Sequence, residues 1–286
     1  MKQLLVPTDF SKAADTAIDF AVHSAKTLPA EITLLHSFET GDSTYADYVG
    51  VNKEFNRNMI SDANAKLDVL KKGIEKDHGI VVNTMVSTDS LLDTITKFGK
   101  DHKVDLVIMG TLGASGLKGK LWGSRTSALI GKTNVPVMVI PNEYTWKKPA
   151  KMLLATNQFE EKPAVLNYVF EMAGLYMATI QVAVFTDEDD DKAQIFLDNQ
   201  KKIGEYKAFL KTTYNEDTLS SVHLSGENFD ETLQGFIKEN EVDILIMVTY
   251  QGSFWSRLFN PSKTKRMSYH TTIPLLAIPA SKEKTK

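Results

Sequence analysis

The sequence predicts an α/β protein in which one unit, a parallel sheet covered by helices on both faces, occurs twice. Short apolar runs alternate with amphipathic helical stretches from the first residues onward, the pattern of strands joined by right-handed crossovers. The carboxyl-terminal parts of the two halves also repeat. Val104 to Met109 (Val-Asp-Leu-Val-Ile-Met) matches Val242 to Met247 (Val-Asp-Ile-Leu-Ile-Met), and Val135-Pro136 to Ile140-Pro141 matches Ile273-Pro274 to Ile278-Pro279 at the same offset, so no gap separates the matches. With 286 residues the chain is long enough for two domains of ordinary size, each burying its own core.

The elements follow in order. Leu4-Leu5-Val6, ended by Pro7, reads as a buried parallel strand, with Thr8-Asp9 as the first polar pair beyond it. Ser11 caps a helix whose Ala13, Ala14, Ala17, Ile18, Ala21, Val22 and Ala25 fall on one face. Ile32 to Phe38 is the second strand. A polar stretch from Glu39 to Gly50 leads into a long helix marked by Phe55, Met59, Ala63, Leu67, Leu70 and Ile74 and closed by His78-Gly79. Ile80 to Val86 is the third strand, Leu91 to Phe98 a helix, and Val104 to Met109 the fourth strand. Gly110 to Thr126 is a glycine-rich connection into a helix ending at Lys132, and Val137 to Ile140 is the fifth strand, stopped by Pro141.

Lys147-Lys148-Pro149 reads as a linker, after which Lys151 to Phe159 aligns with Lys2 to Phe10. The domains are drawn as 1–146 and 150–281, with the linker at 147–149 and a charged tail at 282–286. The halves differ at the glycine connection. Gly110 is matched by Val248, Gly113 by Gln251 and Gly123 by Pro261, while Asp9 is matched by Gln158. A β-branched valine resists positive φ, and proline has no N–H to offer an anion. The second half thus reads as a partner that keeps the fold and has lost this loop.

The totals exclude several classes. There is no cysteine, hence no disulfide framework, thiolate nucleophile or cysteine metal site. With 33 basic and 36 acidic residues the net charge is −3, which gives no general attraction to nucleic acid or anionic membrane. No apolar run approaches the roughly 20 residues needed to span a bilayer. The amino terminus lacks a signal-peptide apolar region, so a cytoplasmic protein is expected.

The connection from Gly110 to Thr126 carries the chemistry. Glycines let the backbone approach a ligand closely, and free N–H groups at a helix start point at negative charge, so such a loop suits a phosphate. Gly110, Gly113 and Gly123-Ser124 have the spacing of the nucleotide-binding signature of the universal stress protein family: glycine, two residues, glycine, nine residues, then glycine and serine or threonine. Val6-Pro7-Thr8-Asp9-Phe10-Ser11 and Leu34-Leu35-His36 are similar to that family too, and the resemblance covers the whole chain as two tandem domains. It implies two Rossmann-like, adenine nucleotide alpha hydrolase-like domains with sheet order 3-2-1-4-5. The first and fourth strands are then neighbours at the switch point, outside whose carboxyl ends ligands sit.

The resemblance implies ATP or another adenine nucleotide as ligand, with Mg²⁺ accompanying it. Pro7, Thr8, Asp9 and Ser37 would line the adenine and ribose end, Met109, Gly110 and Gly113 the approach to the ligand, and Gly123, Ser124, Arg125 and Thr126 the phosphates. Ser37 stands where the family usually has an apolar residue. The family also implies pairing of the two domains through their fifth strands, which would protect exposed edges, and a homodimer as a further association.

Plainer readings hold elsewhere. Lys118 and Lys120 read as solvated loop lysines, although they could screen phosphate charge. Gly131-Lys132-Thr133 resembles the end of a Walker A motif, but it ends a helix instead of opening one. His36 reads as a satisfied core or rim histidine, and His23 and His78 have no metal-ligand spacing. Asp187 to Asp191 is a solvated acidic run, and Ser262 to Arg266 a charged surface helix. Tyr45 and Tyr48 could fold over a nucleotide or pack on the second domain. No general base or nucleophile is evident, so the first reading is a nucleotide-binding sensor or regulator of the stress response, with at most weak ATPase activity. The alternatives are a slow ATP-hydrolysing or phosphoryl- or adenylyl-transfer enzyme, and a scaffold that mediates protein association without nucleotide.

Overall fold

The computed structural model describes residues 2–39, 49–101, 103–111, 124–156, 159–187, 193–215, 219–227, 229–250 and 272–280. Among the described residues ten strands form one sheet. In chain order they are β1 (Gln3–Pro7), β2 (Glu31–Ser37), β3 (Val82–Ser87), β4 (Leu106–Gly110), β5 (Val137–Ile140), β6 (Lys151–Thr156), β7 (Thr179–Asp187), β8 (Ser220–Gly226), β9 (Ile244–Tyr250) and β10 (Leu275–Ala280). Their spatial order is β3-β2-β1-β4-β5-β10-β9-β6-β7-β8. Each half thus has the order 3-2-1-4-5 with parallel neighbours, and the halves meet where β5 and β10 run antiparallel, with Leu276 opposite Met138.

Among the described residues the helices are α1 (Lys12–Thr27), α2 (Val49–His78), α3 (Leu91–Asp101), α4 (Ser124–Lys132), α5 (Pro163–Tyr176), α6 (Ala193–Tyr214) and α7 (Phe229–Glu239). They cover both faces, because every strand side chain of a parallel sheet must be buried on one face or the other. One core layer joins Leu4, Val6 and Ile108 to Phe20 and Leu67 and continues to Val169 and Leu210. The opposite layer joins Leu5, Val107 and Val139 to Ile95 and Leu129 and continues to Leu233. Helix α1 starts where the sequence places it, since the Ser11 hydroxyl accepts from the Ala14 N–H. Helix α2 begins at Val49, inside the stretch read as polar connection.

The fourth strand of each half starts later than its apolar run suggests, because an aspartate ahead of it has another task. Asp105 Oδ2 accepts the N–H groups of Lys2 and Gln3, at 2.6 and 2.9 Å. Asp243 Oδ2 likewise accepts those of Ala150 and Lys151, at 2.7 and 2.9 Å. Each carboxylate clamps the start of its half's first strand to the start of the fourth. The repeated Val-Asp dipeptide therefore reports a structural need.

Residues 141–150 contain no helix or strand, yet they are anchored. Trp146 stacks on His23 at 5.5 Å and meets Phe20 edge-on at 5.0 Å. Lys147 pairs with Asp243. Across the junction the Tyr176 hydroxyl donates to Ser24 at 2.8 Å, both groups buried. Burial pushes the Tyr144 hydroxyl up to about 12, helped by the nearby charge of Asp243.

Burial alone would raise the Asp243 pKa, but the Lys147 bond, the two backbone N–H groups and the Lys147 charge outweigh it and hold the carboxyl below its ordinary value. Its stabilising effect is therefore present in full above the unfolded value of 3.8 and is lost as pH falls through the lower folded value. Asp243→Ala should lower unfolding stability near neutral pH by about 1–3 kcal/mol, since two N–H groups lose their acceptor. Urea denaturation should show the gap from wild type closing as the wild-type carboxyl protonates in acid.

Candidate functional site

The crossovers from β1 and β4 leave toward opposite sides of the first half, so the carboxyl ends of these neighbours border a crevice. Pro7 closes β1. Thr8 is buried; its N–H donates to the Leu35 carbonyl at 2.8 Å and its hydroxyl accepts from the Phe10 N–H at 3.0 Å. Asp9 Oδ1 accepts from the Ser11 N–H at 3.1 Å. These local acceptors hold a sharp turn in which Phe10 takes φ 61°. The turn delivers the capped start of α1 directly beside the end of β4.

Gly110 makes that approach possible. A Cβ there would lie 2.5 Å from the Ala13 carbonyl oxygen and 2.9 Å from its carbon, distances that backbone cannot yield without moving the helix. The first glycine of the signature is thus required by α1. Thr126 ties α4 to the same point, its buried hydroxyl donating to the Gly110 carbonyl at 3.2 Å, while the Thr111 N–H donates to the Ile140 carbonyl at 3.1 Å. Ser124 and Arg125 open α4. Met109 is buried on the α4 side of the sheet with Leu129 and Ile130.

The structure therefore brings Pro7, Thr8, Asp9, Gly110 and Thr126 to one end of two adjacent strands. Ser37 closes β2, one strand further out, and its hydroxyl donates to the Asp89 carbonyl at 2.8 Å. Gly113, Gly123, Lys118, Lys120, Tyr45 and Tyr48 lie outside the described residues. Sequence reasoning missed an aromatic group on the β2 side. Phe10 lies 4.7 Å from the His36 ring, Phe38 lies 5.8 Å from it, and the Lys66 ammonium sits 5.2 Å over the Phe10 ring. His36 Nδ1 donates to the Thr8 carbonyl at 2.8 Å, which fixes the tautomer and marks a satisfied rim histidine. Only the apolar Phe10 inside a polar turn signalled this group.

The second half repeats the frame with different contents. Phe159 takes φ 48° where Phe10 takes 61°, and Glu160 stands at the place of Ser11, buried, with Oε1 accepting the Lys162 N–H at 2.7 Å. Thr186, at the place of Ser37, accepts from Asn199 at 2.9 Å and bonds His223 Nε2 at 2.8 Å. Burial lowers the His223 pKa. Val248, buried, occupies the place of Gly110. Gln158, Gln251, Pro261 and residues 262–266 lie outside the described residues.

Gly110→Ala should destabilise the chain by about 1–3 kcal/mol, the usual cost of overpacking, measured by chemical denaturation. Adding Ala13→Gly should restore little of the loss, because the tightest contacts are with the Ala13 carbonyl oxygen and carbon, at 2.5 and 2.9 Å, and only a looser one, at 3.1 Å, is with its Cβ.

Comparison with known proteins agrees with this geometry. The profile of the universal stress protein family matches residues 1–141. Over 154 residues the chain is 34% identical to universal stress protein MJ0577 of Methanocaldococcus jannaschii, spanning 49% of this chain and 94% of that one. It is 27% identical over 144 residues to universal stress protein YxiE of Bacillus subtilis, spanning 48% and 97%. Both halves together share the fold of a universal stress protein from Archaeoglobus fulgidus, with TM-score 0.73 over 97% of this chain and 98% of that one at 15% identity. A turn that seats a helix against a glycine strand end, at the switch point of a 3-2-1-4-5 sheet, together with these matches, makes the chain a member of the universal stress protein family.

Proposed function

We propose that the first half binds ATP or a related adenine nucleotide between Asp9 and the start of α4, and that the chain acts as a cytoplasmic sensor or regulator in the stress response. The observation that carries this is the meeting of the Thr8-Asp9 turn with Gly110 and Thr126 at the carboxyl ends of β1 and β4. In this reading Pro7, Thr8 and Asp9 face the adenine and ribose, with Ser37 at the margin. Gly113, Gly123, Ser124, Arg125 and Thr126 supply N–H groups, hydroxyls and the amino-terminal dipole of α4 to the phosphates.

Mg²⁺ accompanies the nucleotide, held chiefly by its phosphates. Among the described residues no group of three or more His, Asp or Glu side chains could hold a metal on its own, and no helix is long and apolar enough to cross a membrane. The second half serves as the fold-preserving partner, joined through the fifth strands. One nucleotide per chain follows from this asymmetry.

The test is thermal unfolding of wild type and Gly113→Asp with ATP, ADP, AMP and Mg²⁺. Nucleotide at 100 times Kd should stabilise the wild type by about 2.7 kcal/mol and leave the variant unmoved. No shift at millimolar nucleotide would overturn the proposal. Multiple-turnover ADP release that vanishes in Gly113→Asp would instead make the chain an enzyme.

A further inference from the structure

At the amino-terminal ends of β6, β9 and β10 lies a cavity of about 970 Å³ whose lining includes Lys147, Lys148, Lys151 and Lys238 above the buried Ile237 and Val242. Two acids, Glu241 and Asp243, also border it, so the lining carries a surplus of positive charge. Asp243 is already engaged by two backbone N–H groups and by Lys147. Lys151 donates its ammonium to the Asn240 carbonyl at the end of α7. Lys148 and Lys238 are exposed, and neither ammonium has a partner among the described residues.

The fold does not need Lys148 and Lys238, the two without such partners. Asp105 clamps the first half with the same two kinds of backbone bond and no lysine partner among the described residues. Nor does the carboxyl end of α7 hold Lys148 or Lys238, since the Phe236, Ile237 and Lys238 carbonyls accept the Asn240, Val242 and Glu241 N–H groups and the Asn240 carbonyl accepts Lys151. Gln234 and Thr272 bond each other at 3.2 Å. The apolar floor lowers the local dielectric and strengthens whatever charge the ammonium groups meet.

We propose that this cavity binds a small oligophosphate anion, with Lys148 and Lys238 as its main charge partners and Lys147 contributing its remaining donors. An ammonium is a point charge without the planar fork of arginine, so the site reads charge density more than shape. Separate ammonium groups around one cavity suit an anion with charge at two or more centres. The site is independent of the nucleotide crevice of the first half.

Pyrophosphate binding to the full chain, followed by titration calorimetry at low and moderate salt, tests it. Lys148→Gln/Lys238→Gln should raise the Kd at least tenfold and flatten its salt dependence, with the far-ultraviolet circular dichroism unchanged. Lys148→Arg/Lys238→Arg should keep binding within threefold, and Gly113→Asp should leave it unaltered. Nucleotide-induced stabilisation should persist in the glutamine variant, which separates this site from the one proposed above. Absence of pyrophosphate binding at millimolar concentration, a glutamine variant less than tenfold weaker, or loss of binding in Gly113→Asp would each overturn the proposal.

Discussion

The architecture depends on the seam between β5 and β10. β5 and the stretch Leu275 to Ile278 of β10 have almost no exposed surface, and each would be an open sheet edge without the other. Antiparallel pairing there joins two five-stranded sheets into one. The apolar layers on both faces then run through the whole molecule. The junction is reinforced away from the sheet by the Tyr176 to Ser24 bond and by Trp146 stacked on His23. Intervening residues 141–150 thus act as a packed strap.

The repeated α/β unit was legible in the sequence because strand spacing and the two carboxyl-terminal matches share one cause, burial of a parallel sheet on both faces, whereas its strand order came from the family resemblance. Helix α1 was legible for the same kind of reason, its apolar face and serine cap being local features. Element edges were less so. Val104-Asp105 reads as strand by hydropathy, but the long-range demand of the Lys2 and Gln3 N–H groups draws Asp105 out of it. Val49 and Gly50 read as connection, yet α2 already includes them.

At the site, Thr8, Asp9 and Gly110 could be named from the sequence, but the reason for Gly110 could not. Its missing Cβ answers to a carbonyl in α1, a contact that spacing alone does not reveal. Phe10, His36 and Lys66 gather only because a turn with positive φ brings the first beside β2 and α2. Val248 shows the other side of this logic. A side chain there forbids an equally close helix, so the second half keeps its strands and the Phe159 turn while its polar groups, such as Thr186 and His223, satisfy one another.

The antiparallel seam also sets direction. Because the second half is inverted relative to the first, the carboxyl ends of β1 and β4 and the amino ends of β9 and β6 open on the same rim of the molecule. From β4 to β9 is three strand spacings, roughly 15 Å. The crevice of one half and the lysine cavity of the other are therefore neighbours facing one way, and a single large surface laid across that rim would meet both at once.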